Sequence, residues 1–195
     1  ASRSMAIGGS ALVKACQEAL AKRDQGAPFP ITVTTRFESK ETWSNGCVMV
    51  RVKIEGDTGV LHIEQMVWAD DAGVILNPTL AYDQLIGGAA QGLGQALMEA
   101  LQYDEHGQLI TGSLMDYAIP RAQDMPNIDV YSLHTASTTN PLGAKGVGEA
   151  GCIGVPAALM NAVRDALFGY LGKEPPELSF PLTSETIWRA IGFRG

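Results

Sequence analysis

The sequence predicts an α+β fold in which a mixed or antiparallel sheet packs against several helices. Three observations carry that expectation. "CVMVRVKI" (47–54) and "VLHIEQMVWAD" (60–70) alternate apolar with polar residues on either side of the turn "EGDTG", as a β-hairpin requires. "GVPAALMNAVRDALFGYLG" (154–172) places Leu159, Val163, Ala166, Leu167 and Tyr170 at helical spacing, with Pro156 near its first turn. Strand and helix signals alternate along the chain without an internal repeat. With 46% hydrophobic and 18% charged residues, the 195 positions suffice for a buried core in one domain of one or two lobes.

The elements follow in order. A polar, glycine-rich entry leads to a first helix, with Ser10 as its N-cap and Leu12, Cys16, Ala19 and Leu20 repeating on one face. Pro28 and Pro30 end it. After the hairpin, "DDAGVILNP" closes the strand region, and "QLIGGAAQGLGQALMEALQY" (84–103) reads as a buried helix entered through glycines. "DEHGQLITGSLMDYAIP" is rich in turns, and "IDVYSLHTAS" is a further strand. The tail "FPLTSETIWRAIG" adds a last helix capped by Thr183 or Ser184 and stopped by Gly192.

Charge and cysteine usage exclude several classes. A net charge of −7 with only 14 Lys and Arg argues against nucleic-acid partners, which require a basic surface. No apolar run approaches the roughly 20 residues of a membrane span, and no signal segment opens the chain. Cys16, Cys47 and Cys152 are odd in number and widely spaced, which points to a reducing, cytoplasmic compartment rather than to a metal or dithiol site. His62, His106 and His134 lack metal-ligand spacing, and no nucleophile elbow is present.

Glycine is the unusual entry in the composition. The 22 glycines exceed the average of roughly 7% and cluster at 7–9, 87–94 and 143–154, so each patch requires a local cause. "NPLGAKGVGEAG" (140–151) joins a strand to a helix and surrounds one acid, Glu149. Glycine turns and helix starts offer backbone N–H groups to anions and let a ligand approach the main chain closely. The order of residues matches neither a P-loop nor G-x-G-x-x-G. From the residues alone, Glu149 is either a general base tuned by burial beside Val147 and Ile153 or a solvated loop acid. Lys145 is either a phosphate contact or an exposed charge. In "GGAAQGLGQAL" the small residues suit a tight helix crossing, which leaves Gln91 as an amide in need of partners, a ligand among them. Ser2 and Ser4, two apart, would face one side of an extended segment or belong to a frayed terminus.

"ASRSMAIGGSALVKAC", "DDAGVILNPTLAYDQLIGGAAQGLGQALMEALQY", "GSLMDYAIPRAQDMP" and "NPLGAKGVGEAGCIGVPAALMNAVRDAL" resemble, in order and spacing, the C-terminal portion of the molybdenum-binding subunit of the xanthine oxidase family. That family includes aldehyde oxidoreductases, aerobic carbon monoxide dehydrogenases and hydroxylases of N-heteroaromatic rings. The resemblance runs from Ser2 to about Leu167 and implies the fold of a molybdenum cofactor-binding domain. It also implies a mechanism, in which a molybdenum held by a pterin dithiolene activates oxygen from water for attack on an electrophilic substrate carbon. A glutamate of the motif that here reads "GVGE" takes the proton. Electrons leave through iron–sulfur clusters and FAD on partner domains or subunits.

By that matching Glu149 is the base. Gln91 and Gly92 contact the molybdopterin, Ser2 and Ser4 fall on a cofactor-contacting segment, and Lys145, Gly146, Val147 and Gly148 line the approach through main chain. The pterin expected in a bacterial member is the cytosine dinucleotide form. The family's subunit is several times longer, so residues 1–195 read as the C-terminal lobe of the domain, a fragment or one half of a split subunit. Its partners would be the N-terminal part of the molybdenum subunit and the iron–sulfur and flavin subunits, and by itself it is not expected to turn over a small-molecule substrate. The competing readings are a non-catalytic interaction module, whose glycines serve packing and docking, and a stand-alone phosphate-binding protein.

Overall fold

The computed structural model describes residues 3–192. A π-helical turn, Ser4–Gly9, runs without a break into α1 (Ser10–Asp24). The strands β1 (Asn45–Ile54) and β2 (Leu61–Asp71) form the expected hairpin, antiparallel from Asn45↔Asp71 to Ile54↔Leu61 with an irregularity between Arg51 and Val52. The third strand, β3 (Ile128–Leu133), lies parallel to the other edge of β2, so the sheet is mixed with the order β1-β2-β3. Helices α2 (Pro78–Leu97), α3 (Ala150–Leu171) and α4 (Ser184–Ile191) and a 3-10 turn at Ala122–Asp124 complete the described elements.

The core sits between sheet and helices. Met66 and Trp68 from β2 pack with Leu85, Ala89, Leu93 and Ala96 of α2 and with Val155 and Leu159 of α3. Burying each of Met66, Leu85, Leu93, Val155 and Leu159 is worth about 1.5–3 kcal/mol, so this layer contributes heavily to the fold's stability. A second cluster joins Val163 and Leu167 of α3 to Leu182 and to Ile187 and Ala190 of α4. Thr183 caps α4 by accepting from the Thr186 amide, as its sequence position suggested.

Expectations for three helices required correction. Ser10 caps nothing: Gly9 is already helical, and the Ser10 hydroxyl is buried without a partner. The α1 face containing Leu12 and Leu20 is exposed. Helix α2 begins six residues before the expected start and ends six before the expected finish. Asn77 accepts from the Leu80 amide at 3.1 Å with Pro78 at the first helical position, so "NP" is a helix start rather than a strand end. At the other end, the Met98 and Glu99 amides both turn back to the Gly94 carbonyl. Helix α3 starts at Ala150, four residues earlier than expected, and this puts Pro156 inside it. The cause is tertiary: Gly151 lies directly against the Gly88 backbone, where any Cβ would overlap it.

Candidate functional site

Residues 140–149 are held on both sides before they reach α3. Gly143 adopts φ +64°, and its carbonyl accepts from the amides of Val74 and Ser137, both at 2.9 Å. Asn140 brackets Ala144, donating to its carbonyl at 2.9 Å and accepting from its amide at 3.2 Å. The Lys145 amide donates to the Ala72 carbonyl at 2.9 Å, extending the bridge between Gly73 and Ala144. From α2, Gln84 donates to the Gly148 carbonyl at 2.9 Å. A loop that carries glycines is thus anchored by specific hydrogen bonds.

Past these anchors the chain borders a cavity of about 270 Å³. Gly146, Val147, Gly148, Glu149, Ala150 and Ile153 form one wall, Arg3, Ala6 and Ile7 of the N-terminal turn form a second, and Ser39, Lys40, Thr42, Trp43 and Ser44 form the third. The third wall comes from an irregular stretch fastened by the hydroxyl pairs Thr42–Thr139 (2.6 Å) and Ser137–Thr139 (2.9 Å). Two cations, several hydroxyls and glycine main chain make a donor set suited to an anionic ligand.

The structure separates the sequence-derived candidates. Glu149, Gly146, Val147 and Gly148 line the cavity together. Glu149 is exposed and Ile153 is 74% exposed, so the apolar burial expected around Glu149 is not found. Ser2 lies outside the described residues. Ser4 is exposed at the head of a helical turn, so the extended pairing of the two serines does not hold at Ser4, and the neighbouring Arg3 borders the cavity instead. Gly92 is buried at the α2–α3 crossing, where a Cβ would lie 2.6 Å from the Gly151 carbonyl oxygen, so packing accounts for this glycine. Gln91, expected to be buried, is exposed, and its side-chain amide makes no hydrogen bond among the described residues.

Lys145 fits neither sequence-derived alternative. Its Nζ lies 3.1 Å from Oδ2 of Asp71, with side chains 8% and 9% exposed. The Asp71 carboxylate also accepts from the Gly73 amide (3.0 Å) and the Thr135 amide (3.1 Å). Burial opposes its charge, but hydrogen bonds from Thr135, Gly73 and Lys145 outweigh it and bring the pKa down to about 2. Its neighbour Asp70 behaves oppositely. Burial and the Asp71 charge push its carboxyl up, offset in part by Lys145 and by a Trp68 indole N–H that lies close without completing a hydrogen bond. Asp70 borders a separate cavity of about 230 Å³ with Ser132 and His134.

Sequence reasoning missed Arg3, Lys40, Thr42, Asp71 and Gln84. Residues 39–44 have no periodicity that could have flagged them, whereas the acidic pair before Gly73 was a usable signal. Among the described residues, no three His, Cys, Asp or Glu side chains gather as a metal site, and no helix is long and apolar enough to cross a membrane.

Known proteins share this fold. The molybdopterin cofactor-binding domain profile matches residues 23–126. The nicotine 6-hydroxylase large subunit of Paenarthrobacter nicotinovorans is 40% identical over 152 residues, covering 78% of this chain and 18% of that protein. The carbon monoxide dehydrogenase large chain of Hydrogenophaga pseudoflava is 31% identical, covering 77% of this chain and 18% of its own length. Among solved structures, quinoline 2-oxidoreductase from Pseudomonas putida 86 superposes with a TM-score of 0.69 at 39% identity, over 74% of this chain and 18% of that one. The chain therefore spans about a fifth of the length of these relatives, and the matched profile, the similarity and the shared mixed-sheet fold together show that it belongs to the molybdopterin cofactor-binding domains of the xanthine oxidase family's molybdenum-binding subunits.

Proposed function

We propose that this chain is the C-terminal lobe of the molybdenum-binding subunit of a molybdenum hydroxylase, in which Glu149 is the base for oxidative hydroxylation with water as oxygen source. The observation that carries the proposal is the single cavity bordered by the Gly146–Glu149 main chain, by Arg3 and Lys40, and by the hydroxyls of residues 39–44. Glycine at 146 and 148 lets a conjugated ring approach the backbone, and the two cations complement its phosphates. Gly146, Val147, Gly148 and the Lys145 main chain are the proposed pterin contacts. The segment that carries Ser2 and Ser4 and the unengaged Gln91 amide are proposed as further contacts. Bound there, the molybdenum cofactor would supply the two-electron oxidation of the substrate.

Glu149 borders the cavity and is accessible, so its carboxylate can take a proton from the attacking oxygen. Relatives named for nicotine, quinoline and aldehyde substrates are 39–40% identical and the carbon monoxide dehydrogenase 31%, which supports an N-heteroaromatic or aldehyde substrate ahead of carbon monoxide. Relatives named as large subunits support further partner subunits, to which the reading assigns the iron–sulfur clusters and FAD, and the N-terminal part of the molybdenum subunit completes the set. The cytosine dinucleotide form of the pterin and a cytoplasmic setting complete the reading, the latter supported by the free thiols Cys16, Cys47 and Cys152.

In the intact enzyme, Glu149→Gln is expected to lower kcat by at least about 100-fold with molybdenum content unchanged. A fully active variant would instead favour a non-catalytic role for this loop.

A further inference from the structure

We propose that Asp71 and Lys145 are positioning residues, a buried ion pair whose role is to set the main chain leading to Glu149. The inference rests on the reading of Glu149 as the base. Asp71 ends β2, Lys145 immediately precedes the cavity-lining run, and the pair spans 74 residues of sequence. One carboxylate gathers the amide that follows β2 (Gly73), the amide that follows β3 (Thr135) and the ammonium of the loop. Three segments are thereby brought to one point, directly before Gly146.

Two facts distinguish this from ordinary stabilisation. First, a buried ion pair is a weak source of stability, because desolvation cancels most of the attraction, and apolar pairs of similar volume often do as well. Second, the loop is already tied down by main-chain bonds at Lys145 and Val74 and by the Asn140 bracket. What the pair adds is a fixed orientation for the peptide between Lys145 and Gly146, while Gln84 fixes the far side at the Gly148 carbonyl. A charged Lys145 side chain held inward is also withheld from the cavity, which leaves Arg3 and Lys40 as its bordering cations.

The test compares the intact enzyme with Glu149→Gln and with the apolar pair variant Asp71→Leu/Lys145→Met. The pair variant is expected to melt at a lower temperature, because the Gly73 and Thr135 amides lose their acceptor, but to stay folded at assay temperature with its molybdenum content unchanged and its KM within about threefold. Its kcat is expected to fall by about 10- to 100-fold, the scale of a small misplacement at a reacting centre. Amide hydrogen exchange across 145–149 should quicken while the β1–β2 hairpin is unaffected, a readout independent of turnover. Wild-type kcat or unchanged exchange in the pair variant, with Glu149→Gln inactive, overturns the positioning role alone. Full activity in Glu149→Gln overturns the base reading and this inference with it. Should the pair variant fail to fold, Asp71→Asn, which keeps the shape and the amide contacts, is judged by the same kcat and exchange criteria.

Discussion

The α2–α3 crossing and the loop at 140–149 are both glycine-rich, yet they are held by different forces. At the crossing, Gly88 and Gly92 lie against Gly151, and a Cβ on Gly88 would sit 3.2 Å from the Gly151 Cα. Contact there is backbone on backbone above the apolar layer of Leu93, Val155 and Leu159. In the loop, Gly143 supplies a positive φ, and Gly146 and Gly148 border a cavity, while the segment is secured by Asn140, Asp71 and Gln84. One region depends on shape and the other on hydrogen bonds and charge. Mutations and pH should therefore affect them differently.

The largest effect is expected from Gly151→Val. The added branches would force the helices apart, and chemical denaturation should show a loss of about 3 kcal/mol or more, independent of pH. Near-native stability would mean that the crossing is loose. Next comes Asp71→Ala, which leaves Lys145 buried without its partner. Breaking such a pair costs about 3 kcal/mol, and thermal unfolding of the purified variant measures it.

The third test is the pH dependence of the loop. Asp71 has a pKa of about 2 in the folded chain against 3.8 for the free group, so its contribution is complete above the free value and lost as pH falls through the folded one. At about 1.4 kcal/mol per unit, the stability gap between wild type and Asp71→Asn should shrink by about 2 kcal/mol on acidification to about pH 2. The gap for Gly151→Val should not change. A Gly151 gap that narrowed equally would remove the distinction between the regions. The smallest effect has the opposite sign: a Cβ on Gly87 meets nothing within 4 Å, so Gly87→Ala should stabilise the helix by about 0.5–1 kcal/mol, one position from Gly88, where a Cβ would press on Gly151 at 3.2 Å. Differential scanning calorimetry on that variant measures the gain.

Much of this architecture was legible beforehand. The hairpin was readable from its alternation, α3 from its apolar face, and α4 from the threonine that caps it, because each signal lies within a few residues of the structure it produces. The start of α2 was readable in principle, since "NP" carries the cap and the first-turn proline. Gln91 and Gly92 show where such reading stops. Helical spacing identifies which residues share a face, but not which neighbour covers that face. The same spacing therefore left Gly92 under α3 and Gln91 in the open.

By itself the amino-acid sequence determined the α+β class, the resemblance to the molybdenum subunits, and a lone acid among glycines at the entrance to a helix. Only the tertiary structure decided that Lys145 turns inward to Asp71, that Gln84 reaches the Gly148 carbonyl, and that residues 39–44 close the cavity. Periodicity, caps and turns act over a few residues and are written locally. The partner of a buried charge is set by strand register and helix crossing, which bring residues 64 or 74 positions apart within hydrogen-bonding distance.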